Sequence, residues 1–431
     1  GVFRPVSMRD KIKFIYQKGL VHIMGSGLLN KVFTFIGNVF VVRFLTKREY
    51  GIFGYADNIM TFFLILNGMG IIYGMLQFCS EQRPEEEKEA YYWFSLKFGM
   101  AFNFAIAIGV FICAMFAPLK VAEARHVLMI YSLYPLTYYI YQYYCLLMRC
   151  KRENKRYALL SNLNAFIYMA VEIVGAYYLK ASGIIIALYL ATMITSLVGM
   201  RYYSIRALRN ANYLSRHQKL ELIKYSAYVC ANTMISNLLI LMDVFLIGYI
   251  IVSPEKIAIY KVAATIPEAL IVIPNSVVIF VYPYFAEHNM EYGWIKQNTK
   301  RLIGITAIMN FIIAGMLFIL APWIIKLLWG AKYMGAVTVF RILSVNYFVS
   351  STLRVNVSNL LASLRKVKLN FYINIVAGIS NIVLDAVLIK YMGIDGAAWA
   401  TLTVVVITTA MLMPALIHSI RSLKKIESEN S

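Results

Sequence analysis

The chain has 431 residues, 60% of them hydrophobic and 15% charged, with a formal net charge of +21. A soluble protein does not bury that apolar fraction. The apolar residues fall in uncharged runs such as 184–200 and 400–416, which with their flanks cross a hydrocarbon core of about 30 Å. Several soluble domains are therefore excluded. The basic excess, which in a soluble chain would suggest nucleic acid, sits between the apolar runs, as in loops that face an anionic leaflet.

In chain order, residues 1–21 read as a cytoplasmic N-terminal segment in which Gly1–Ser7, ahead of Met8, looks like an addition to the natural start. The apolar run from Gly27 is too long for a cleaved leader and lacks its small-residue pattern, so the first span itself would direct insertion. Spans follow at 22–44, 52–78, 92–116, 125–148, 158–179 and 183–203. A basic stretch at 204–224 reads as a cytoplasmic linker. Further spans lie at 225–250, 258–285, 302–321, 336–362, 369–390 and 394–418, with a tail at 419–431. The expectation is an all-α integral membrane fold: twelve transmembrane helices in two bundles, 22–203 and 225–418.

Lys and Arg concentrate in alternate loops. One set holds Arg83, Lys88, Arg149, Lys151, Arg152, Lys155, Arg156, the linker, Lys296, Lys300, Arg301, Arg365, Lys366, Lys368 and the tail. The other set is poorer by about threefold, which makes the first set and both termini cytoplasmic. The second set is short throughout and leaves no room for an outer domain. The halves also resemble each other. Tyr50–Ala56 matches Ile257–Ala263 in type, and Gly183–Ala187 is paired with Gly393–Ala397, both at an offset of about 210 residues, as in transporter repeats. Like-oriented halves of this kind pack around a central cavity.

Three stretches carry a family likeness. They are Phe44–Gly54; Met242–Gly248 with Ile259–Ala263 and Val281-Tyr282-Pro283; and Asn374 through Leu388–Thr401. At these residues the chain resembles the Wzx-type polysaccharide flippases, which move O-antigen and capsule repeat units, of the multidrug/oligosaccharidyl-lipid/polysaccharide (MOP) superfamily. The resemblance implies two V-shaped six-helix bundles of the MATE type that alternate access. It implies a bacterial cytoplasmic-membrane protein, not an enzyme, that translocates undecaprenyl-diphosphate-linked oligosaccharide from the inner to the outer leaflet. Its partners would be the lipid-linked substrate, membrane lipids, and polymerase or export proteins of the same pathway, with no nucleic acid. The alternative within the superfamily is a MATE-like small-molecule or cation antiporter.

Charges inside the spans are the best functional pointers, because each costs about 2.5–3.5 kcal/mol at mid-membrane. The cations are Lys31, Arg43, Lys97, Lys261, Arg341 and Arg354. Arg43, Lys97, Lys261 and Arg341 lie near span ends, where snorkelling competes with a role in binding an anionic head. Lys31 and Arg354 lie about 12–14 Å deep at 1.5 Å per residue. One comes from each half, and they are expected to face a cavity that takes a diphosphate. The acids are Asp57, Glu172, Asp243, Glu268 and Asp385. Each either pairs with a cation, for example Asp243 or Asp385 with Arg341, or belongs to a site that couples transport to a proton or sodium gradient. Glu268 is the leading coupling candidate, because Pro267 and Pro274 should bend its helix and free carbonyls. Asp243, Glu172 and Asp385 follow.

The tyrosine run from Tyr131 to Tyr144 suits helix packing and an interfacial belt better than sugar stacking. In-span asparagines such as Asn162, Asn356 and Asn381 suit either interhelical bonding or a sugar path. The five cysteines have no ligand or disulfide spacing and read as small buried hydrophobes. No Walker A sequence and no metal-spaced histidines occur, so no cofactor is expected.

Overall fold

A computed structural model describes residues 20–80, 83–204, 214–364 and 366–429. Residues 1–19, 81–82, 205–213 of the basic linker, Arg365 and the last two residues of the tail lie outside the described residues. Every regular element among the described residues is helical. Nine helical stretches among them are long and apolar enough to cross a membrane, so the chain is a multi-pass membrane protein. Helices are the available solution because hydrocarbon offers no water to an unpaired backbone group.

The contacts divide the chain into two compact units. The first holds the described residues up to Leu45 together with Ile59–Met234; the second holds Thr46–Asn58 and Ile235 onward. The helices of the first half are α1 (Leu20–Phe44), α2 (Lys47–Leu64), α3 (Ile71–Ser80), α4 (Glu85–Phe116), α5 (Ala124–Tyr131), α6 (Tyr134–Cys150) and α7 (Asn154–Tyr202). They are followed by α8 (Arg216–Ile250), α9 (Pro254–Ala269), α10 (Val272–Glu287), α11 (Tyr292–Trp329), α12 (Val337–Val349), α13 (Val355–Ser363), α14 (Val367–Met392) and α15 (Ile394–Glu429).

Several expected spans are interrupted, each for a local reason. The span at 52–78 breaks at Asn67–Gly70, where Gly68, Met69 and Gly70 take positive φ. The fully buried Asn103 secures that break: its Oδ1 accepts from the Gly68 N–H at 2.6 Å, and its amide donates to Asn67 Oδ1 and to the Pro135 carbonyl. The span at 125–148 is two helices, α5 and α6, because Pro135 in the first turn of α6 supplies no N–H. The span at 258–285 breaks between α9 and α10, just past Pro267 and Glu268. The span at 336–362 carries a π-helical turn at Ser350–Arg354.

The spans at 158–179 and 183–203 form one element, α7, folded back on itself at Lys180 (φ 56°, ψ −134°). Gly175 and Gly183 touch across the fold: a Cβ on Gly183 would lie 2.0 Å from the Gly175 carbonyl oxygen. The second half repeats this corner at Gly393 (φ 64°, ψ −140°), where a Cβ on Gly396 would meet the Leu388 carbonyl oxygen at 2.1 Å. The corner thus pairs Lys180 with Gly393 and Gly183 with Gly396, three residues away from the match of Gly183 with Gly393 read from the sequence. Backbone approach, rather than likeness of the apolar residues that follow, sets the register.

The first unit's core joins α3, α4, α6 and the start of α8, with Tyr91, Tyr92, Tyr139, Tyr143, Tyr144 and Leu222 at its centre. The tyrosine run is therefore packing. Tyr139 donates to the Ser95 carbonyl at 2.6 Å and Tyr143 to the Tyr92 carbonyl at 3.0 Å. The five cysteines are free thiols, four of them buried. In the second unit, apolar residues of α10, α13, α14 and α15 form the main core around Val357, Leu361, Leu412 and Leu416.

Substituting Ala for Gly183 or Gly396 should force the corner open and cost about 1–3 kcal/mol, as overpacking does. Gly315, where an added Cβ would meet nothing within 4 Å, is the control and should tolerate Ala. Thermal unfolding in detergent checks this, and equal midpoints for all three variants would contradict it.

Candidate functional site

The second unit contains a polar cluster built by four helices. Asp243 on α8 and Asp385 on α14 are both buried, Asp385 completely. Asp243 Oδ2 accepts from the Tyr260 hydroxyl of α9 at 2.5 Å and from the Thr401 hydroxyl of α15 at 2.8 Å. The Asn381 amide bridges the carboxylates, donating to Asp243 Oδ1 at 3.3 Å and to Asp385 Oδ2 at 2.6 Å. Asn381 and Asp385 share a face of α14 at i, i+4. Asp385 Oδ1 is buried with no hydrogen-bond partner.

The expected pairing of these acids with Arg341 is not made. Arg341 instead donates through Nε to the Phe318 carbonyl at 3.1 Å and sits 5.3 Å from the Phe318 ring centroid. No Lys or Arg among the described residues forms an ion pair with Asp243 or Asp385. Two buried carboxylates bridged by an amide, with a hydroxyl beside them, are a hard oxygen donor set suited to a proton or a small cation. Among the described residues no group of three His, Cys, Asp or Glu side chains could hold a metal ion.

The other acids stand differently. Glu172 of α7 is buried against α1, with its Oε1 unpartnered. A Cβ on Gly37 would lie 1.8 Å from that oxygen, so glycine is required there for the carboxylate to fit. Glu268 is exposed at the break after α9. Asp57 takes Lys261 at 3.2 Å, which gives this span-end lysine an ion pair rather than a snorkelling role.

Two of the cations are unsatisfied. Arg354 is half-buried at the end of the π turn, and Lys31 is exposed on α1. Neither makes a hydrogen bond or ion pair among the described residues. Beside the π turn, the second unit carries a buried polar ladder: Asn356 donates to Thr306, Asn310 to Thr352, and Tyr347 to Asn310. Arg43 closes the last turn of α1 and is exposed. Lys97, also exposed, lies 4.4 Å from the Trp93 ring centroid. In the first unit, Ser26 donates to Asn162 and Asn30 to Ser161, so Asn162 bonds between helices rather than lining a path.

Residues 16–289 match the family model described as "Polysaccharide biosynthesis protein". The chain belongs to that family. No curated protein sequence matches this chain. Among solved structures it is similar to "Lipid II flippase MurJ, inward closed conformation", with TM-score 0.73 and 13% identity over 95% of this chain and 90% of that one. It is similar to an inward-facing multidrug resistance MATE family transporter of the MOP superfamily, with TM-score 0.72 and 14% identity over 92% and 96% of the two chains. A MOP superfamily transporter from Pyrococcus furiosus matches at TM-score 0.63 and 12% identity, over 94% and 96%. These likenesses establish the shared MOP fold.

Tyr260 and Thr401 are not singled out by the sequence, although both lie in the stretches that carry the family likeness. Asp243 and Tyr260 of the second stretch and Asn381, Asp385 and Thr401 of the third, dispersed over about 160 residues, meet in this one cluster. Tyr260→Phe should cost about 1–3 kcal/mol by leaving a buried carboxylate short of a donor. The loss should shrink in an Asp243→Asn background. Unfolding midpoints of the two single variants and the double variant check this; strict additivity would contradict it.

Proposed function

We propose that this protein flips an undecaprenyl-diphosphate-linked oligosaccharide repeat unit from the cytoplasmic to the outer leaflet of the bacterial inner membrane, by alternating access coupled to a cation gradient. Membership of the polysaccharide biosynthesis family and the MOP fold support a transporter of saccharide intermediates over a membrane enzyme. The lipid II flippase with this fold supports a lipid-linked substrate. The lysine- and arginine-rich loops support cytoplasmic termini.

The observation that carries the reading is Arg354. A guanidinium eight residues inside a membrane span, with no protein partner among the described residues, leaves its desolvation unbalanced until a ligand arrives. Its flat fork suits paired phosphate oxygens. A π turn is also a frequent mark of a functional position in a helix. Lys31, in the first unit, is likewise a cation inside a span with no partner among the described residues. Arg43 adds positive charge at the end of α1, whereas Lys261 and Arg341 are engaged within their own unit. A MATE-like antiporter for cationic drugs would be poorly served by Arg354 and Lys31.

For coupling, the Asp243–Asn381–Asp385–Thr401 cluster is the favoured cation site. Glu172 is a second carboxylate able to exchange a proton, and Glu268 is the remaining candidate. A cation would bind Asp385 Oδ1, the oxygen that the fold leaves unpartnered. No resident cofactor enters this scheme.

Arg354→Ala and Lys31→Ala should each slow repeat-unit export at least tenfold, and the unfolding midpoint should hold because neither side chain is bonded to the protein. Lipid-linked units labelled in cells should then remain on the cytoplasmic face. Normal export by the Lys31→Ala/Arg354→Ala double variant would remove the diphosphate role.

A further inference from the structure

The first unit holds a cavity of about 330 Å³ lined by Ala90, Trp93, Phe94, Lys97 and Phe98 of α4, by Leu214 two residues ahead of α8 and by Lys219 in the first turn of α8. Its depth in the membrane follows from α4. Charged residues cluster from Glu85 to Lys97, and none occurs in the 19 residues 98–116. Those 19 residues rise about 28 Å, which matches one hydrocarbon core. Lys97 therefore sits at the boundary between hydrocarbon and headgroups, on the side that the positive-inside rule gives to the cytoplasm.

The walls and the charges divide the work. The Lys97 ammonium lies 4.4 Å from the Trp93 ring centroid, and that of Lys219 lies 5.7 Å from the Phe94 ring centroid. Aromatic faces thus hold two cations at the mouth without neutralising them. No acidic side chain lines the cavity. Nearby Glu87 is already taken by Arg83 at 2.6 Å and by the Gln218 amide at 3.0 Å. Lys97 and Lys219 form no ion pair among the described residues.

We propose that this cavity binds the phosphodiester headgroup of an anionic membrane phospholipid, with Lys97 and Lys219 on the phosphate. Phe94, Phe98 and Leu214 would flank the glycerol and the roots of the acyl chains. Two ammonium groups and no acid complement one anionic headgroup. The volume lies at the low end for small-ligand pockets and suits a headgroup better than an oligosaccharide. An aromatic and basic rim at the interface is the setting in which anionic lipids are held. Occupancy would tie the first turn of α8, which lies within the basic stretch 204–224, to α4. The inference separates Lys97 from Lys31 and Arg354 and does not depend on the transport reading, because its test measures binding alone.

The experiment titrates short-chain phosphatidylglycerol against purified full-length protein, with phosphatidylcholine, inorganic phosphate and a polyprenyl diphosphate in parallel. Wild type should bind phosphatidylglycerol at least tenfold more tightly than phosphatidylcholine or inorganic phosphate, and Lys97→Gln/Lys219→Gln should lose that preference. A photoreactive phosphatidylglycerol on the wild-type protein should label residues 90–98 or 214–219, a readout independent of how the variant folds. Equal binding by the double variant, labelling confined to other segments, or inorganic phosphate bound as tightly as the lipid would overturn the proposal. A tenfold preference for polyprenyl diphosphate would overturn it in favour of a substrate entry site.

Discussion

The cost of holding a charge away from water governs this molecule. A charged side chain at mid-membrane costs about 2.5–3.5 kcal/mol on the mildest scale, so each buried charge is either compensated by the protein or kept for something else. Lys261 is compensated by Asp57, Arg341 by the Phe318 carbonyl, and Asp243 by Tyr260, Thr401 and Asn381. The half-buried Arg354, the free oxygen of Asp385 and Oε1 of Glu172 receive no such compensation among the described residues, and the exposed Lys31 is likewise unpaired there. The uncompensated groups comprise cations that suit a diphosphate and carboxylates that suit a small cation.

The backbone obeys the same constraint. Each break in a helix inside the hydrocarbon frees N–H and C=O groups that must find partners. Asn103 serves the break at Asn67–Gly70 by accepting from Gly68 and donating to Pro135. The π turn at Ser350–Arg354 lies beside the Thr306, Asn310 and Asn356 ladder. Among the described residues these asparagines and threonines serve the backbone or one another, whereas both partners of Asn381 are carboxylates.

Much of this is legible in the sequence. Apolar runs and loop charges specify a multi-pass helical protein, because length and hydropathy alone decide what can span a bilayer. Prolines 267 and 274 announce the break after α9. The break at Asn67–Gly70 is hidden, because its stabiliser Asn103 lies 35 residues away from Gly68. The repeat register read from the sequence is misplaced by three residues, since a Cβ clash at Gly183 and Gly396 depends on the facing backbone and not on neighbouring side-chain types. The sequence offers Glu268, Asp243, Glu172 and Asp385 as separate coupling candidates. Only the packing of α8, α9, α14 and α15 brings two of them to one amide and adds Tyr260 and Thr401.

The central claim is that a lipid diphosphate crosses on free cations while the Asp243–Asp385 cluster carries the coupling ion. Its most direct test is leaflet-to-leaflet transfer of a lipid-linked oligosaccharide by purified protein in proteoliposomes, with and without an imposed proton or sodium gradient. The account predicts that one of the two gradients accelerates transfer by wild type, and that Asp243→Asn and Asp385→Asn abolish the acceleration. Transfer that is absent in wild type, or equally gradient-dependent in those variants, would contradict it.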